Sequence, residues 1–149
     1  MKKIIGILMI TLFLGCQKDE VAKKIDLTGV YVGKTTGKID PWYFDGTARW
    51  LVTQQGNEIW ADITYQNVYA NGPGVTPTSD YKIPLMKYKG TMINDSTFQG
   101  GFLTSFFNMR DPSIVNGKIS SDGKRIICNT SGSDVLYSYV RFNYDLTKE

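Results

Sequence analysis

Alternation of apolar and polar residues with a period of two is the feature of this sequence that most limits its fold. From Ile25 onward, no stretch has the sustained i, i+3, i+4, i+7 spacing of apolar residues that an amphipathic helix needs. Instead, apolar residues such as Ile59, Ala61 and Ile63 alternate with residues that are mostly polar, as on a strand with one buried face. Gly, Asn and Asp residues separate these runs. The pattern predicts strands at 27–34, 47–54, 58–68, 81–93, 97–103, 114–120, 124–130 and 135–144.

The short connections between these strands indicate an antiparallel meander. Asp122-Gly123 is typical of a two-residue hairpin turn, and residues 55–57 and 94–96 also have the composition of turns. About eight strands can close into a barrel, and closure removes the exposed edges that a secreted β-protein must otherwise protect. We therefore expect an all-β fold, an antiparallel up-and-down barrel of about eight strands, with an open β-sandwich as the alternative.

The composition excludes several classes of function. The chain has 149 residues, enough for one domain, and it contains no histidine, so the commonest general base and a common zinc ligand are missing. From Ile25 onward it has twelve basic and twelve acidic residues, so no charge excess favours nucleic acid as a partner. We expect no metal, no cofactor and no enzymatic activity. The alternative is a hydrolase that uses a pair of carboxylates among Asp40, Asp45, Glu58 and Asp62.

The first sixteen residues have the layout of a secretory signal. Lys2 and Lys3 precede an uncharged, mostly apolar run at 4–14 that is too short to cross a bilayer. The run ends in Leu12-Phe13-Leu14-Gly15-Cys16, which resembles the lipobox of bacterial lipoproteins. That resemblance implies a signal peptide (1–15), a lipidated Cys16 with a charged tether (16–26) and a barrel domain (27–149). Acyl chains such as palmitate on Cys16 would then attach the protein to a membrane.

The four residues after Cys16 have the pattern of a second targeting signal. Gln17, Lys18, Asp19 and Glu20 resemble the export signal of Bacteroidetes surface lipoproteins, in which Gln-Lys and acidic residues follow the lipidated cysteine. The resemblance implies a lipid-anchored protein of the outer membrane that faces the medium. A lipoprotein that faces the periplasm is the alternative.

Two positions in the predicted first and last strands resemble a family of ligand-binding barrels. Gly29-Val30-Tyr31 opens the first strand, and Arg141 lies in the last one. In the lipocalin-like (calycin) barrels the first strand carries Gly-x-Trp, and an arginine of the last strand packs across that ring. Here Tyr31 stands where tryptophan is usual. The resemblance implies a cup that holds a small ligand and is closed by a cation–π contact between Tyr31 and Arg141.

The predicted loop at 35–46 is the candidate binding site. It holds three adjacent aromatic residues between two aspartates: Asp40, Trp42, Tyr43, Phe44 and Asp45. Three neighbouring aromatic residues cannot all be buried on one face of a strand. Aromatic rings beside carboxylates suit the stacking of a sugar, an apolar ligand or a protein contact. The alternative is a loop whose aromatic residues close one end of the core.

Two further loops and one turn carry additional signals. The segment 66–80 is rich in Asn, Gly, Pro and Thr and predicts a surface loop, and 104–112, with Phe106 and Phe107, predicts a short cover. Asp95-Ser96-Thr97 resembles the O-glycosylation motif of Bacteroidetes envelope proteins, which implies a glycan on Ser96 in an exposed turn.

Two hypotheses for the function follow. The first is a non-catalytic, lipid-anchored binding module of the cell envelope that holds a small apolar or aromatic ligand, or a glycan fragment, at the barrel mouth. The second is a solid-core interaction protein: an accessory subunit, inhibitor or immunity-type factor of an envelope complex. Lumen size discriminates between them, because large inward side chains would fill an eight-stranded barrel. The residues expected to point inward are Trp50, Trp60, Tyr65, Phe102 and Phe142.

Overall fold

A computed structural model describes residues 25–78, 81–103, 114–132 and 140–149. Within these ranges the chain forms strands, turns and short connections, and it contains no helix that could cross a membrane. The strands are β1 (Gly29–Ile39), β2 (Trp42–Gln55), β3 (Glu58–Gly72), β4 (Val75–Thr78), β5 (Met86–Asn94), β6 (Thr97–Phe102), β7 (Ile114–Ile119), β8 (Arg125–Gly132) and β9 (Val140–Lys148).

Eight of these strands form a closed antiparallel ring. Each member of the series β1, β2, β3, β5, β6, β7, β8 and β9 pairs with the next, and β9 pairs with β1. The short strand β4 is added to the far part of β3, where Gly72 pairs with Val75. The prediction of an all-β, up-and-down antiparallel barrel of about eight strands is confirmed, and the open sandwich is excluded.

The alternation in the sequence sets the inward face of each strand. In β9 the residues Val140, Phe142, Tyr144 and Leu146 are buried, and those between them are exposed. Strand β8 alternates in the same way and includes the buried, unpaired Cys128. Because successive side chains of a strand point to opposite sides, this local pattern is sufficient to assign the core residues.

The first hairpin is longer than the sequence predicted. Strand β1 continues to Ile39 and β2 begins at Trp42, so the expected loop at 35–46 is a two-residue turn between paired strands. The loop prediction was wrong because the first two inward positions of this part of β1, Thr35 and Gly37, have no large apolar side chain. Both are buried, and the ring of Phe142 packs on Gly37.

Other strand boundaries differ from the prediction at the ends. Strand β3 continues to Gly72, so β3 and β4 occupy much of the surface loop expected at 66–80. Strand β5 begins only at Met86, after Pro84, which has no N–H to donate to a ladder. Strand β9 continues to Lys148, beyond the predicted end at residue 144.

A β-bulge in β3 changes which residues face outward at one end of the barrel. Two residues of β3, Asn67 and Val68, oppose the single residue Gly46 of β2. Asn67 has a φ of 50°, a left-handed conformation that asparagine tolerates better than most residues. Up to Tyr65 the odd-numbered residues of β3 face the core. Beyond the bulge the even-numbered ones do, so Tyr69 faces solvent.

Aromatic side chains fill the inside of the barrel. Trp50 is 1% exposed, and its ring centroid lies 5.2 Å from that of Tyr144 and 5.6 Å from that of Tyr88. Phe98 packs edge-on against Tyr88 at 6.1 Å, and Phe142 stacks on Tyr144 at 6.4 Å. Along the described strands the interior is therefore a packed core. Three grooves lined by described residues open on the outer surface instead.

Four of the five large residues expected to point inward pack in or against this core: Trp50, Tyr65, Phe102 and Phe142. The expectation for Trp60 was wrong. Its side chain is 38% exposed on the outer face of β3, where Lys89 Nζ lies 4.3 Å from the ring centroid. The inward positions beside it belong to Ile59 and Ala61, so alternation leaves Trp60 outside.

The two ends of the barrel carry different parts of the chain. The backbone N–H of Leu27 donates to Gln54 Oε1 (2.9 Å), and Lys148 Nζ donates to the carbonyl oxygen of Asp26 (3.4 Å). We call this the tether end, because residues 25–28 enter the barrel here. The turn at Asp40-Pro41 lies at the opposite, distal end. The eleven residues of β1 run between the two ends, a strand length of about 35 Å.

Because several tyrosines are buried, we expect the stability of the barrel to fall at alkaline pH. The Tyr31 hydroxyl donates to the carbonyl oxygen of Gly123 (2.8 Å), and burial is the main cause that raises the pKa of Tyr31 to about 12. Burial also raises the pKa of three further tyrosines: Tyr65, Tyr88 and Tyr144. Because the folded-state pKa lies above the unfolded value of about 10, the stabilising contribution is complete below about pH 10 and is lost as the pH rises through the folded value.

We therefore expect the free energy of unfolding to fall above about pH 10, by about 1.4 kcal/mol per pH unit for each phenol whose ionisation is suppressed. Urea unfolding at a series of pH values measures this slope. The variant Tyr31→Phe should lower the slope by about 1.4 kcal/mol per pH unit, because its unfolding releases one proton fewer. An identical slope in Tyr31→Phe and the unaltered protein would contradict the contribution of Tyr31.

Candidate functional site

The three adjacent aromatic residues of β2 do not share one face. Trp42 and Phe44 are partly buried against the core, whereas Tyr43 is 57% exposed. The indole Nε1 of Trp42 donates to the carbonyl oxygen of Pro73 (3.0 Å), and the Phe44 ring lies 6.1 Å from Phe142. Trp42 and Phe44 therefore close the distal end of the core, as the alternative interpretation of this segment expected. Tyr43 is left on the outside.

Tyr43 lines an open groove on the outer surface at the distal end. The groove crosses β3, β2, β1 and β9 and has a volume of about 520 Å³. Charged, amide and aromatic side chains line it. We call it the Tyr43 groove and define it by Lys38, Tyr43, Asp45, Tyr69, Arg141 and Asn143.

Two exposed tyrosines contribute aromatic surface to the Tyr43 groove. Tyr69 is 43% exposed, beside the 57% of Tyr43. Tyr43 pairs with Asn71, and Tyr69 pairs with Asp45, so the two tyrosines are diagonal neighbours on adjacent strands. Diagonal neighbours on one face of a sheet lie about 7–8 Å apart. The bulge at Asn67 turns Tyr69 to the outer face of the barrel, so Tyr43 and Tyr69 are neighbours only because of this bulge.

Exposed ion pairs surround the two rings. Lys38 Nζ lies 3.3 Å from an Asp40 carboxylate oxygen and 5.3 Å from the ring centroid of Tyr43. The hydrogen bond to Asp40, reinforced by its charge and by Tyr43, raises the pKa of Lys38. Lys34 pairs with Asp45 at 3.4 Å. Solvent screens such exposed pairs, so they add little to stability, and a ligand can exchange with them at little cost.

The four carboxylates considered for hydrolysis do not form one cluster. Asp40 and Asp45 lie at the distal end, exposed and each paired with a lysine. Asp62 pairs in register with Leu51, six residues along β2 from Asp45, which is about 20 Å of strand. Glu58 lies still nearer the tether end, at the start of β3. Within the described ranges, no group of three or more Cys, Asp or Glu side chains is placed to hold a metal ion.

Tyr31 and Arg141 do not meet. Tyr31 pairs with Lys148, whereas Arg141 pairs with Lys38, seven residues further along β1. Arg141 also points outward, because its neighbours on either side in β9 face the core, and Tyr31 is fully buried. The expected barrel-closing contact was therefore wrong. Lys148 takes the expected place of the arginine, with its Nζ 5.5 Å from the Tyr31 ring centroid.

The remaining predicted residues fall in a turn or outside the described ranges. Ser96 lies in the exposed turn between β5 and β6, where its backbone N–H (2.9 Å) and its hydroxyl (3.1 Å) donate to Asn94 Oδ1. Its glycosylation stays a prediction. Cys16 and the export signal at 17–20 lie outside the described residues, as do Phe106 and Phe107.

Comparison with family models, curated proteins and solved structures found no match to this chain.

Several lining residues of the Tyr43 groove were missed by the sequence reasoning. Lys38 and Tyr69 fell in segments predicted as loops, and Asn143 lay in a correctly predicted strand with no signal of its own. For Tyr69 a signal was present. The apolar residues of β3 are odd-numbered up to Tyr65, and the next ones, Val68 and Ala70, are even-numbered. Such a shift by one residue is typical of a β-bulge. For Lys38 and Asn143 the sequence carries no such signal.

Proposed function

We propose that this chain is a non-catalytic, lipid-anchored binding module of the bacterial cell envelope that holds a glycan fragment in the Tyr43 groove. One observation carries the proposal: two exposed tyrosines, diagonal neighbours on adjacent strands, line one open groove among charged and amide side chains. A sugar presents an apolar face of C–H groups and a rim of hydroxyls. It therefore needs an aromatic surface together with hydrogen-bonding groups.

The packed interior supports a binding site on the outer surface. A lumen ligand of the kind that lipocalin-like barrels hold would need the volume that Trp50, Tyr88 and Tyr144 occupy. Displacing such side chains would cost several kcal/mol of packing, about 3–5 for a buried aromatic residue. A ligand in the Tyr43 groove requires no such rearrangement, because the groove is open to solvent.

The position of the groove supports the proposed anchoring. If acyl chains on Cys16 hold the protein in the outer membrane, the chain enters the barrel at the tether end. The Tyr43 groove then lies at the distal end, about 35 Å of strand away from the tether end. A ligand could reach it without meeting the membrane. The proposal assigns the protein to the cell surface, with a periplasm-facing lipoprotein as the alternative.

A binding role also suits the carboxylates of this end. Asp40 and Asp45 are exposed and pair with Lys38 and Lys34, whereas the acid of a hydrolase is usually buried. Such groups hydrogen-bond to sugar hydroxyls more readily than they catalyse cleavage.

A glycan array tests the proposal. The full chain is purified in a detergent without a sugar headgroup, labelled and applied to bacterial and plant glycans. We expect binding to a defined set, and Tyr43→Ala and Tyr69→Ala should each weaken the affinity of the best glycan by about tenfold, the usual loss for a central aromatic contact. Trp60→Ala removes an exposed aromatic residue elsewhere on the barrel and should leave the affinity unchanged. Binding that survives both tyrosine substitutions would refute the site.

A specific observation favours the second candidate function, an interaction protein with a solid core. A groove of about 310 Å³ on the outer face of β2, β3 and β5 is lined by the exposed apolar residues Leu51, Trp60 and Leu103. If no glycan binds, and crosslinking in the envelope captures one defined protein that Trp60→Ala releases, this candidate replaces the first.

A further inference from the structure

A row of uncharged polar side chains crosses the outer surface of the barrel beside the Tyr43 groove. On the consecutive strands β6, β7, β8, β9 and β1, each member of the row pairs in register with the next. In that order the members are Gln99, Asn116, Asn129, Asn143 and Thr36. The four amide side chains are exposed, and that of Thr36 is partly exposed. Directly opposed side chains of neighbouring strands lie about 5 Å apart, so these residues form one continuous surface, which we call the amide row.

The amide row connects the Tyr43 groove with a second groove. Its last two members line the Tyr43 groove, and its first three line an open groove of about 570 Å³ on β5, β6, β7 and β8. Asn129 and Asn143 are directly opposite each other, so the row leads from one groove into the other. The apolar side chains of Ile93 and Ile127, 62% and 47% exposed, also line the second groove. We call it the Ile127 groove.

The composition of the amide row is unusual for the middle of strands. Asparagine is depleted in strands, because its short amide competes with the backbone for hydrogen bonds. Asn116, Asn129 and Asn143 nevertheless occupy directly opposed positions on three neighbouring strands. Gln99 Nε2 donates to Asn116 Oδ1 (3.1 Å), and this bond uses only part of the hydrogen-bonding capacity of the two amides. The row therefore offers exposed donors and acceptors to a ligand.

We infer that the glycan of the Tyr43 groove is a linear, uncharged polysaccharide that continues along the amide row into the Ile127 groove. The inference rests on the proposed function and adds the substrate class. An amide presents donors and acceptors together, as sugar hydroxyls do, so the two match without any charge. Paired strands lie about 4.8 Å apart, close to the length of one sugar residue in an extended glycan. A glycan that crosses the strands therefore meets a further member of the row with each residue.

Charged side chains border the amide row without interrupting it. On β1 the row passes between Lys34 and Lys38, each of which pairs with an aspartate. On β9 it passes beside Asp145, whose carboxylate accepts two hydrogen bonds from Arg125 (2.8 and 2.7 Å). An uncharged glycan leaves these pairs in place and needs none of their charges.

The length of the glycan tests the inference. Calorimetry uses the full chain, in a detergent without a sugar headgroup, and compares disaccharides with hexasaccharides of linear glucan, xylan and mannan. Galacturonate oligomers of the same two lengths are the charged counterparts. We expect one uncharged series to bind, with its hexasaccharide about tenfold tighter than its disaccharide, because only the longer glycan reaches along the row. That hexasaccharide should also bind more tightly than the galacturonate hexasaccharide.

Substitutions distinguish the amide row from the Tyr43 groove. Asn116→Ala and Asn129→Ala should each lower the affinity of the hexasaccharide about threefold to fivefold, the loss of a hydrogen bond, and leave that of the disaccharide unchanged. Tyr43→Ala should weaken the binding of both. Gln55→Ala removes an exposed amide at the tether end of β2. It is the matched control and should change neither affinity.

Each other outcome has one meaning. If a hexasaccharide binds no more tightly than its disaccharide, or if both asparagine variants bind it as the unaltered protein does, the amide row is overturned. The proposed function still stands if Tyr43→Ala weakens that binding. Binding confined to branched glycans of the array would overturn the linear glycan. Tighter binding of the galacturonate hexasaccharide than of every uncharged one would overturn the assignment to an uncharged glycan. Absence of binding to any glycan, on this panel and on the array, would refute the proposed function and the inference together.

Discussion

Replacing Trp50 by alanine is expected to lower the free energy of unfolding by about 3–5 kcal/mol. The Trp50 side chain is the largest of those fully buried in the described part of the barrel, and it contacts the rings of Tyr88 and Tyr144. Its neighbours in register are Tyr31 on β1 and Ile63 on β3, both fully buried. Paired strands hold these residues in place, so the core cannot collapse into the cavity. A loss of that size is a large share of the roughly 5–15 kcal/mol that holds a typical domain together.

Guanidinium unfolding followed by circular dichroism measures this effect, and Trp60→Ala is the matched control. The control removes the same side chain from the outer face, where the Trp60 ring lies under the ammonium group of Lys89. We expect a cost below about 1 kcal/mol for the control. Equal destabilisation by the two substitutions would contradict the packed core and favour a barrel whose interior is loosely packed or open.

Substituting Gly33 by alanine is expected to cost about 3 kcal/mol. Gly33 lies on the inward face of β1, opposite Leu146 of β9. A Cβ at Gly33 would collide with the backbone carbonyl oxygen of Asp145 and would lie 2.9 Å from the Cα of Leu146. These are backbone atoms of the paired strand, so relief requires β1 and β9 to move apart. That pairing is the one that closes the ring.

Thermal and guanidinium unfolding of Gly33→Ala test this prediction, with Gly56→Asn as the control. Gly56 has a φ of +60° and open space where a Cβ would lie, and asparagine accepts that conformation. The control should cost less than about 1 kcal/mol. If Gly33→Ala proves as mild as Gly56→Asn, the two strands do not approach as closely as described.

The sequence predicted the barrel well because the signal is local. Each strand carries its own alternation, and turns such as Asp122-Gly123 mark where the chain reverses. Prediction failed where the inward positions were small or polar. The second half of β1 was missed because its buried positions Thr35 and Gly37 are not strongly apolar. Without apolar residues at alternate positions, the pattern of a strand does not differ from that of a loop.

The candidate site was predicted in part. The aromatic segment of β2 was found, yet only Tyr43 of its three rings faces the groove, because adjacent residues on a strand point to opposite sides. Arg141 was identified for the wrong partner. Its register position beside Lys38, far from Tyr31, depends on how β9 pairs with β1. No local pattern encodes that register.

By itself, the sequence determined the fold class, the approximate strands and the face of each strand that is buried, because burial imposes a period of two on every strand separately. Tertiary structure alone decided which outward residues meet. Tyr43 and Tyr69 come together through a bulge at Asn67, and Lys38 and Arg141 come together through the closure of the ring. Outward side chains do not pack into a common core, so no periodic pattern marks them in the sequence. Their neighbours depend on strand register and on barrel closure, which the local sequence does not specify.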